Sequence, residues 1–571
     1  MKHHHLAHIC SAAFLLAFAV LGCQGGSTRN KSLPKAQEPP TARKVRASAE
    51  LPTFEKYTTV FPEKTPAGHA HWLDIDNDGR PDLMLDGCRL FLNQSQGASI
   101  RFRDVTEAAG IASGSGTGLC VDIDNDGWTD IVTTHGNIYL NRGNGTFADI
   151  GEASGFRPHA KSMTLAAGDL DGNGFPDIVI GMQEDWNNGH PAYYPMQCWL
   201  NNDGKSFTEA AKKLGITMSS YARGILIHDV DGDGLQDIYV ANYRLQANAL
   251  WMNSASGTFT NEAAERGVTG RNDQTMFFDK RTSQHYGYRY GHSIGACWLD
   301  FDNDGVLDLW VSNLVHKYVG YAGRGSMSFD YRGYLCDDSN VFHGSAGGVF
   351  LDWRPALRLP PMPIGDASVY RGDELWSGAA PADANNDGFQ DVFVPQIYNL
   401  AYAKARLFLN CQGVGFGDAA ELAKIQQLDT YCGAWADVNG DGLMDLVTGG
   451  RIGVNIPHAI ALYVNTGNGT ICRYSWLQLV LRAVPGSGTA VGAQVRVDDG
   501  TGLKQLQVNS AGLSTYGQQN SPALHFGFGK KVKQVTVDVT WPDGQRTTHS
   551  LATCRSHVLE CPKRQKAPGD R

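Results

Sequence analysis

Seven copies of one nine-residue pattern, D-x-D/N-x-D/N-G-x-x-D, run along this chain, starting at Asp74, Asp122, Asp169, Asp229, Asp300, Asp383 and Asp437. A unit repeated this often is one piece of supersecondary structure that buries its apolar side against its neighbours, so the repeat sets the fold. The starts are separated by 48, 47, 60, 71, 83 and 54 residues, the length of a four-stranded propeller blade with insertions of variable size.

Within each copy, oxygen-bearing side chains fill positions 1, 3, 5 and 9, and glycine fills position 6. The side chains are Asp74, Asp76, Asp78 and Asp82; Asp122, Asp124, Asp126 and Asp130; Asp169, Asp171, Asn173 and Asp177; Asp229, Asp231, Asp233 and Asp237. They continue with Asp300, Asp302, Asp304 and Asp308; Asp383, Asn385, Asp387 and Asp391; and Asp437, Asn439, Asp441 and Asp445. Ca²⁺ takes six to eight oxygens at about 2.3–2.6 Å, and alternate residues of a curled loop can turn their carboxylates toward one point. The position-7 carbonyls of Arg80, Trp128, Phe175, Leu235, Val306, Phe389 and Leu443 are expected to complete each shell. The loop is no EF-hand, because position 12 carries no Glu and the flanks, such as Ile178-Val179-Ile180 and Ile238-Tyr239-Val240, read as strands. A solitary acidic turn would only solvate a hairpin, but seven with the same positions filled predict cation sites.

These loops hold 25 of the 58 acidic residues. Seven bound Ca²⁺ would move the formal net charge from −9 to +5, relieving repulsion inside each cluster. At ambient concentrations near each dissociation constant, a site contributes about RT ln 2, or ~0.4 kcal/mol, and seven contribute ~3 kcal/mol. The expected role of up to seven Ca²⁺ is therefore structural.

A second motif follows each loop at roughly one strand's remove: an apolar strand, then Asn, then a Gly-rich turn, then usually Phe. It reads YLNRGNGTF from Tyr139, WLNNDGKSF from Trp199, WMNSASGTF from Trp251, LFLNCQGVGF from Leu407 and LYVNTGNGT from Leu462. Each repeat thus encodes about four strands. The seventh repeat lacks a clear fourth strand, and Phe54-Glu55-Lys56-Tyr57 before the first loop is expected to supply it, removing an open edge. The expected architecture is all-β, a seven-bladed β-propeller over residues 51–472, with a small β-sandwich or barrel-like domain at 473–561 and a polar tail at 562–571.

The repeats resemble the FG-GAP/VCBS class seen in integrin α-chain propellers. The C-terminal segments VGAQVRV from Val491, GLSTYGQQNSPALHFGFG from Gly512 and VTVDVTWPDGQ from Val535 resemble the ASPIC/UnbV domain that follows such repeats in the cartilage acidic protein-like family. The resemblance implies an extracellular calcium-binding module.

The N-terminus reads as a targeting segment. Lys2 and a histidine-rich start precede an apolar run from Ile9 to Gly22, too short to span a membrane. It ends in Val20-Leu21-Gly22-Cys23, which resembles a bacterial lipobox, so residues 1–22 are expected to be a lipoprotein-type signal peptide and Cys23 the lipidated residue; an ordinary secretory signal is the alternative. Residues 24–50 are polar and aperiodic, a flexible tether. Export across an inner membrane and anchoring at the cell envelope follow. Removal of Cys10 and modification of Cys23 leave ten of twelve cysteines, an even number, with Cys554–Cys561 the most plausible bridge and burial as free thiols the alternative for Cys120, Cys297 and Cys432.

Three other signals are discounted. Gly291-His292-Ser293-Ile294-Gly295 matches a nucleophile elbow but is followed by a strand, Ala296-Cys297-Trp298-Leu299-Asp300, not a helix. Arg371-Gly372-Asp373 is short enough to arise by chance, and His69 and His71 lack partners in any zinc pattern. The insertions at 271–292 and 313–345 are instead rich in aromatic, His and Arg residues, including Phe277, Tyr288, Arg289, His316, Tyr321 and Arg324. Such loops suit recognition of a protein or glycan, or they pack on one another as a cap. No basic stripe points to nucleic acid. The leading expectation is a non-enzymatic binding module for an extracellular protein or glycan. A calcium-dependent polysaccharide lyase and an envelope assembly scaffold are the alternatives.

Overall fold

In a computed structural model of the chain, the described residues are 51–564, apart from 271–277, 280–283, 286–289, 315–338, 360–374, 398–403, 451–459, 513–516 and isolated positions. The signal segment, Cys23, the tether, Arg371-Gly372-Asp373 and most of both aromatic insertions lie outside them.

Seven antiparallel sheets follow one another along the described chain, six built on a four-stranded meander and the seventh on three consecutive strands plus one from the start of the described chain. The first comprises Ala70–Leu73, Asp82–Leu85, Arg89–Asn93 and Phe102–Asp104. The first strands of the second to seventh sheets are Gly118–Val121, Ser162–Gly168, Ala222–His228, Ser293–Leu299, Ala380–Ala382 and Thr430–Ala436. These strands are buried along nearly their whole length, which accounts for their near-continuous apolar runs, whereas a half-solvated strand would alternate. First strands of consecutive sheets lie against each other, and that of the seventh lies against that of the first.

The core is divided in the same way. Each apolar cluster of the repeat region is shared by two consecutive sheets, and one joins Trp72, Leu83 and Phe91 of the first sheet to Cys432, Ala434 and Val447 of the seventh. Across that seam, the buried Trp72 indole donates from Nε1 to the Ala434 carbonyl at 3.1 Å.

Phe54–Tyr57 supplies the fourth strand of the seventh sheet, as the sequence predicts. It pairs antiparallel with Ile460–Asn465, Phe54 opposite Asn465.

The C-terminal region forms two further sheets on one core. Gln494–Asp498, Lys504–Val508, Gln534–Thr540 and Arg546–Ala552 make the first, antiparallel throughout. Ala523–Gly527, Trp476–Arg482 and Arg555–Glu560 make the second, in which the last two strands run parallel. Leu477, Leu479 and Phe526 pack with Val495, Val537 and Val539 between them. The alternation of Val535-Thr536-Val537-Asp538-Val539 matches its burial pattern, one face in and one out.

The expected Cys554–Cys561 bridge is not formed. Both are free thiols, Cys554 exposed just before the last strand and Cys561 buried after it, so the strand Arg555–Glu560 separates them. Cys120, Cys297 and Cys432 are buried free thiols in first strands, with burial raising each thiol above its usual range.

Candidate metal-binding loops

Each acidic loop joins the first and second strands of its sheet, and position 9 is the first residue of the second strand. One hydrogen-bond scheme repeats in all seven. The position-1 carboxylate accepts from the position-6 glycine N–H at 2.7–3.1 Å. The position-5 side-chain oxygen accepts from the N–H of position 7 (Arg80, Trp128, Phe175, Leu235, Val306, Phe389 or Leu443) at 2.8–2.9 Å. The position-9 carboxylate is a hub. One oxygen accepts from the position-2 N–H at 2.8–3.0 Å, and the other from a backbone N–H at the end of the third strand at 2.7–2.9 Å.

Position 4 is a requirement the sequence reading overlooked. Asn77, Asn125, Asn303 and Asn386 sit there at φ of 53–59°, and Gly172, Gly232 and Gly440 at 73–76°. The left-handed region admits Gly freely and Asn at modest cost. The four asparagines also reach sideways, each donating from Nδ2 to the position-6 carbonyl of the next loop at 2.8–3.1 Å. The signal was visible, since position 4 is Asn or Gly in every copy.

The Asn of the second motif ties the sheets together in the other sense. Asn141, Asn201, Asn253, Asn410 and Asn465 each donate from Nδ2 to the position-2 carbonyl of the preceding loop, at 2.7–2.9 Å. Asn93 of the first sheet does the same to Val438 of the seventh. The fifth sheet has Gly344 at this place, and Arg266 bridges that junction instead, from Asp231 at 3.1 Å to the Gly347 carbonyl at 2.8 Å.

The carboxylates converge as a cation site requires. Asp74, Asp76 and Asp78 offer oxygens within 4.8 Å of one another, as do Asp122, Asp124 and Asp130; Asp169, Asp171 and Asp177; and Asp229, Asp231 and Asp237. In the fifth loop Asp302 and Asp304 converge with His343. Asp124 Oδ1, Asp169 Oδ1, Asp231 Oδ1 and Asp302 Oδ1 are buried and accept no hydrogen bond. An orphaned buried carboxylate oxygen is costly without a cation, so these donor sets fit Ca²⁺. Burial pushes Asp82, Asp122, Asp237 and Asp300 up to about 8, and Asp74, Asp169 and Asp437 up to about 6. In the sixth and seventh loops, Asn385 and Asn439 turn Nδ2 toward Asp387 and Asp441 at 3.0 and 2.9 Å.

The C-terminal domain touches every loop. Arg482 donates to Asn77 Oδ1 at 3.0 Å in the first, and Ala483 closes over Gly127 of the second. Arg564 reaches the Gly172 and Asn173 carbonyls of the third. Gln236 of the fourth donates to the Val491 carbonyl at 3.4 Å, and Arg496 reaches the Gly305 carbonyl of the fifth at 3.5 Å. His525 Nε2 lies 2.6 Å from Asn386 Oδ1 in the sixth, and Gln478 donates to Asp437 Oδ2 at 3.0 Å in the seventh.

A segment of the same domain lies among the first strands. Gln519 exchanges backbone hydrogen bonds with Ala70 and Trp72, while its amide pairs with both backbone groups of Cys120. Asn520 bonds to Trp435 and Pro381, and Ala511–Gly512 adds a strand beside Ala166 and Ala167.

Two of the discounted signals lie among the described residues. Ser293 is buried in the fifth first strand and donates to Asn313 Oδ1 at 2.8 Å, with no helix after it. His69 pairs with Asp86 at 3.0 Å, and His71 is fully buried, its pKa pushed down to about 3 by desolvation.

Comparison with known proteins finds FG-GAP-like repeats at residues 122–180 and 229–311, spanning the second to fifth loops, and an ASPIC and UnbV domain at 485–566. FG-GAP-like repeats followed by an ASPIC/UnbV domain define the class, and the cartilage acidic protein-like family expected from the sequence fits this chain. The chain is 24% identical over 417 residues to cartilage acidic protein 1 of Mus musculus, covering 71% of this chain and 55% of that protein. It is likewise 24% identical over 402 residues to the Xenopus tropicalis protein, covering 68% and 53%. The chain thus spans about half the length of the curated relatives it matches. Among solved structures, the V. cholerae biofilm matrix protein Bap1 covers 73% of this chain and 91% of its own at 12% identity, with a TM-score of 0.31, a likeness too low to bear on function. No helix among the described residues is long and apolar enough to cross a membrane.

Proposed function

We propose that the chain is an extracellular, calcium-binding module whose seven sheets are the blades of a closed β-propeller, and that it binds a protein or glycan. One observation carries the calcium reading: the seven loops share one hydrogen-bond scheme, and four of them hold a buried carboxylate oxygen with no partner. Closure is supported by the bond from Asn93 to Val438, by the shared core of the first and seventh sheets, and by the pairing of Phe54–Tyr57 with Ile460–Asn465. Calcium neutralises the clusters and stiffens adjoining hairpins.

The partner-binding face lies at the strand ends remote from the loops. The loop side is engaged by the C-terminal domain at every loop, which leaves loop-bound cations little room for a uronate and weighs against a lyase. The chain enters and leaves the long insertions at those ends, since Asp308–Asn313 ends there and Asn340–Ser345 and Ser293–Leu299 begin there. There the exposed Tyr193 stacks on the buried Tyr221 at 4.6 Å, and the buried Arg223 and the half-buried Arg244 brace the Tyr243 ring beneath the surface at 5.1 and 5.0 Å. Aromatic and arginine side chains on a rigid scaffold suit recognition. Export and lipid anchoring at Cys23 belong to the same reading.

Three measurements test it. Elemental analysis of the purified native protein is expected to find several tightly held Ca²⁺ per chain, and none would overturn the calcium reading. A glycan array and partner pull-down, compared between wild type and Tyr193→Ala, are expected to yield a ligand whose binding weakens in the variant, and an assay for unsaturated uronate is expected to stay negative.

A further inference from the structure

The fifth loop differs from the other six in its donor set. In six sheets the residue just before the Asn that bonds to the preceding loop is apolar: Leu92, Leu140, Leu200, Met252, Leu409 and Val464. In the fifth it is His343, followed by Gly344, whose N–H donates to Asp308 Oδ1 at 2.9 Å where the other sheets use the Asn N–H. Only glycine fits there, because a Cβ on Gly344 would lie 2.2 Å from the Leu307 carbonyl.

His343 is 1% exposed, and its ring lies flat on Trp353, centroids 3.7 Å apart and planes 6° apart. That stacking aims Nε2 into the loop, 3.1 Å from Asp302 Oδ2, 3.6 Å from Asp304 Oδ2 and 4.0 Å from Asp308 Oδ1. A single N–H cannot serve oxygens from three carboxylates. A further observation points to a ligand: Asp302 Oδ1 is buried with no hydrogen-bond partner, beside an imidazole only 1% exposed that aims Nε2 into the same loop. Donors at about 2.0–2.2 Å around one tetrahedral ion stand roughly 3.3–3.6 Å apart, within the spread seen here.

We propose that the fifth loop is a mixed nitrogen and oxygen site for a first-row transition dication, with His343 Nε2 as a direct ligand beside Asp302, Asp304 and Asp308. The proposal rests on the reading of the acidic loops as cation sites. Calcium, a hard ion, takes oxygen donors, whereas imidazole nitrogen favours zinc and its neighbours. One buried nitrogen thus makes this loop discriminate against the ion that fills the others.

The test uses the full chain, stripped with chelator, saturated with Ca²⁺ and titrated with Zn²⁺ by calorimetry. Wild type is expected to bind one more Zn²⁺ equivalent than His343→Asn, a difference that removes any contribution from His3 to His5, while both hold the same amount of Ca²⁺. Loss of affinity beyond the ~10–100-fold typical of an outer-sphere partner marks direct ligation. Should the variant not fold, anomalous diffraction at the zinc edge on wild-type crystals gives the answer, with a peak expected beside His343 Nε2. Calcium in the fifth loop, an empty fifth loop beside filled ones, or equal zinc binding by wild type and variant overturns the proposal. Zinc at His343 with no Ca²⁺ in the other loops would sink the calcium reading alone.

Discussion

Asn93 Nδ2 donates to the Val438 carbonyl at 2.9 Å, across 345 residues of sequence. The same amide also donates to the Pro81 carbonyl at 3.0 Å, and the side chain is 1% exposed. Asn141 makes the equivalent pair of bonds, to the Ile75 carbonyl of the first loop and the Thr129 carbonyl of its own. The junction between the ends of the repeat region is therefore built like the junctions inside it.

Asn93→Ala strands two carbonyls and is expected to cost ~1–3 kcal/mol. Asn141→Ala should cost a similar amount if the repeats close on themselves. Denaturant melts of the two variants compare them, and a silent Asn93→Ala beside a damaging Asn141→Ala would show that the terminal sheets do not form a working junction.

The metal-free protein should be acid-tolerant and base-sensitive. Burial raises Asp82, Asp122, Asp237 and Asp300 to about 8 in the folded chain, against about 3.9 unfolded. A raised carboxyl contributes stability that is fully present below the unfolded value and lost as pH rises through the folded one. Chelated protein is expected to lose several degrees of Tm between pH 5 and pH 8. Saturating Ca²⁺ competes with these protons, so its stabilisation should grow over the same interval, and parallel curves with and without Ca²⁺ would contradict carboxylate ligation.

Calcium removal should loosen the C-terminal domain. Gln478 bonds directly to Asp437, and Arg482, Arg496 and Arg564 contact groups of the first, fifth and third loops, so docking depends on loop shape. Hydrogen exchange is expected to quicken at Gln519 and Ser521 after chelation, and unchanged protection there would uncouple docking from the loops.

Position 4 separates backbone strain from bonding. Asn303 has φ of 59° and donates to the Gly388 carbonyl at 2.9 Å. Asn303→Gly loses only the bond, whereas Asn303→Ala also meets the left-handed penalty of roughly 1–2 kcal/mol. Thermal melts should rank wild type above Asn303→Gly and Asn303→Ala lowest.

Much of this was legible before the structure. The periodic carboxylates locate every loop, and Phe54-Glu55-Lys56-Tyr57 stands out as the missing strand because its pattern matches the other fourth strands. The Asn of the second motif was visible, but its partner was not, since the carbonyl it meets lies one repeat away and backbone groups carry no sequence signature. His343 was missed because it replaces an apolar residue outside the loop, where only alignment of third strands exposes the exception. The Cys554–Cys561 expectation failed because closeness along the chain ignored a strand extending between the two thiols. The docking of the C-terminal domain on the loops, made of single contacts from scattered residues, had no local pattern to read.

The pairing of Phe54 with Asn465 puts the entry to the repeats and the exit from them at one end of the seventh sheet. Opposed tension on the two would unzip that strand pair bond by bond, where a staggered pair would share the load. The bonds from Thr466 to the Thr53 carbonyl, at 2.7 Å from N–H and 2.9 Å from the hydroxyl, and from Asn468 to Leu51 at 2.9 Å lie ahead of the strand pair. They are the first to bear a mechanical pull between whatever precedes Leu51 and the C-terminal domain, and they set the force at which the molecule begins to open.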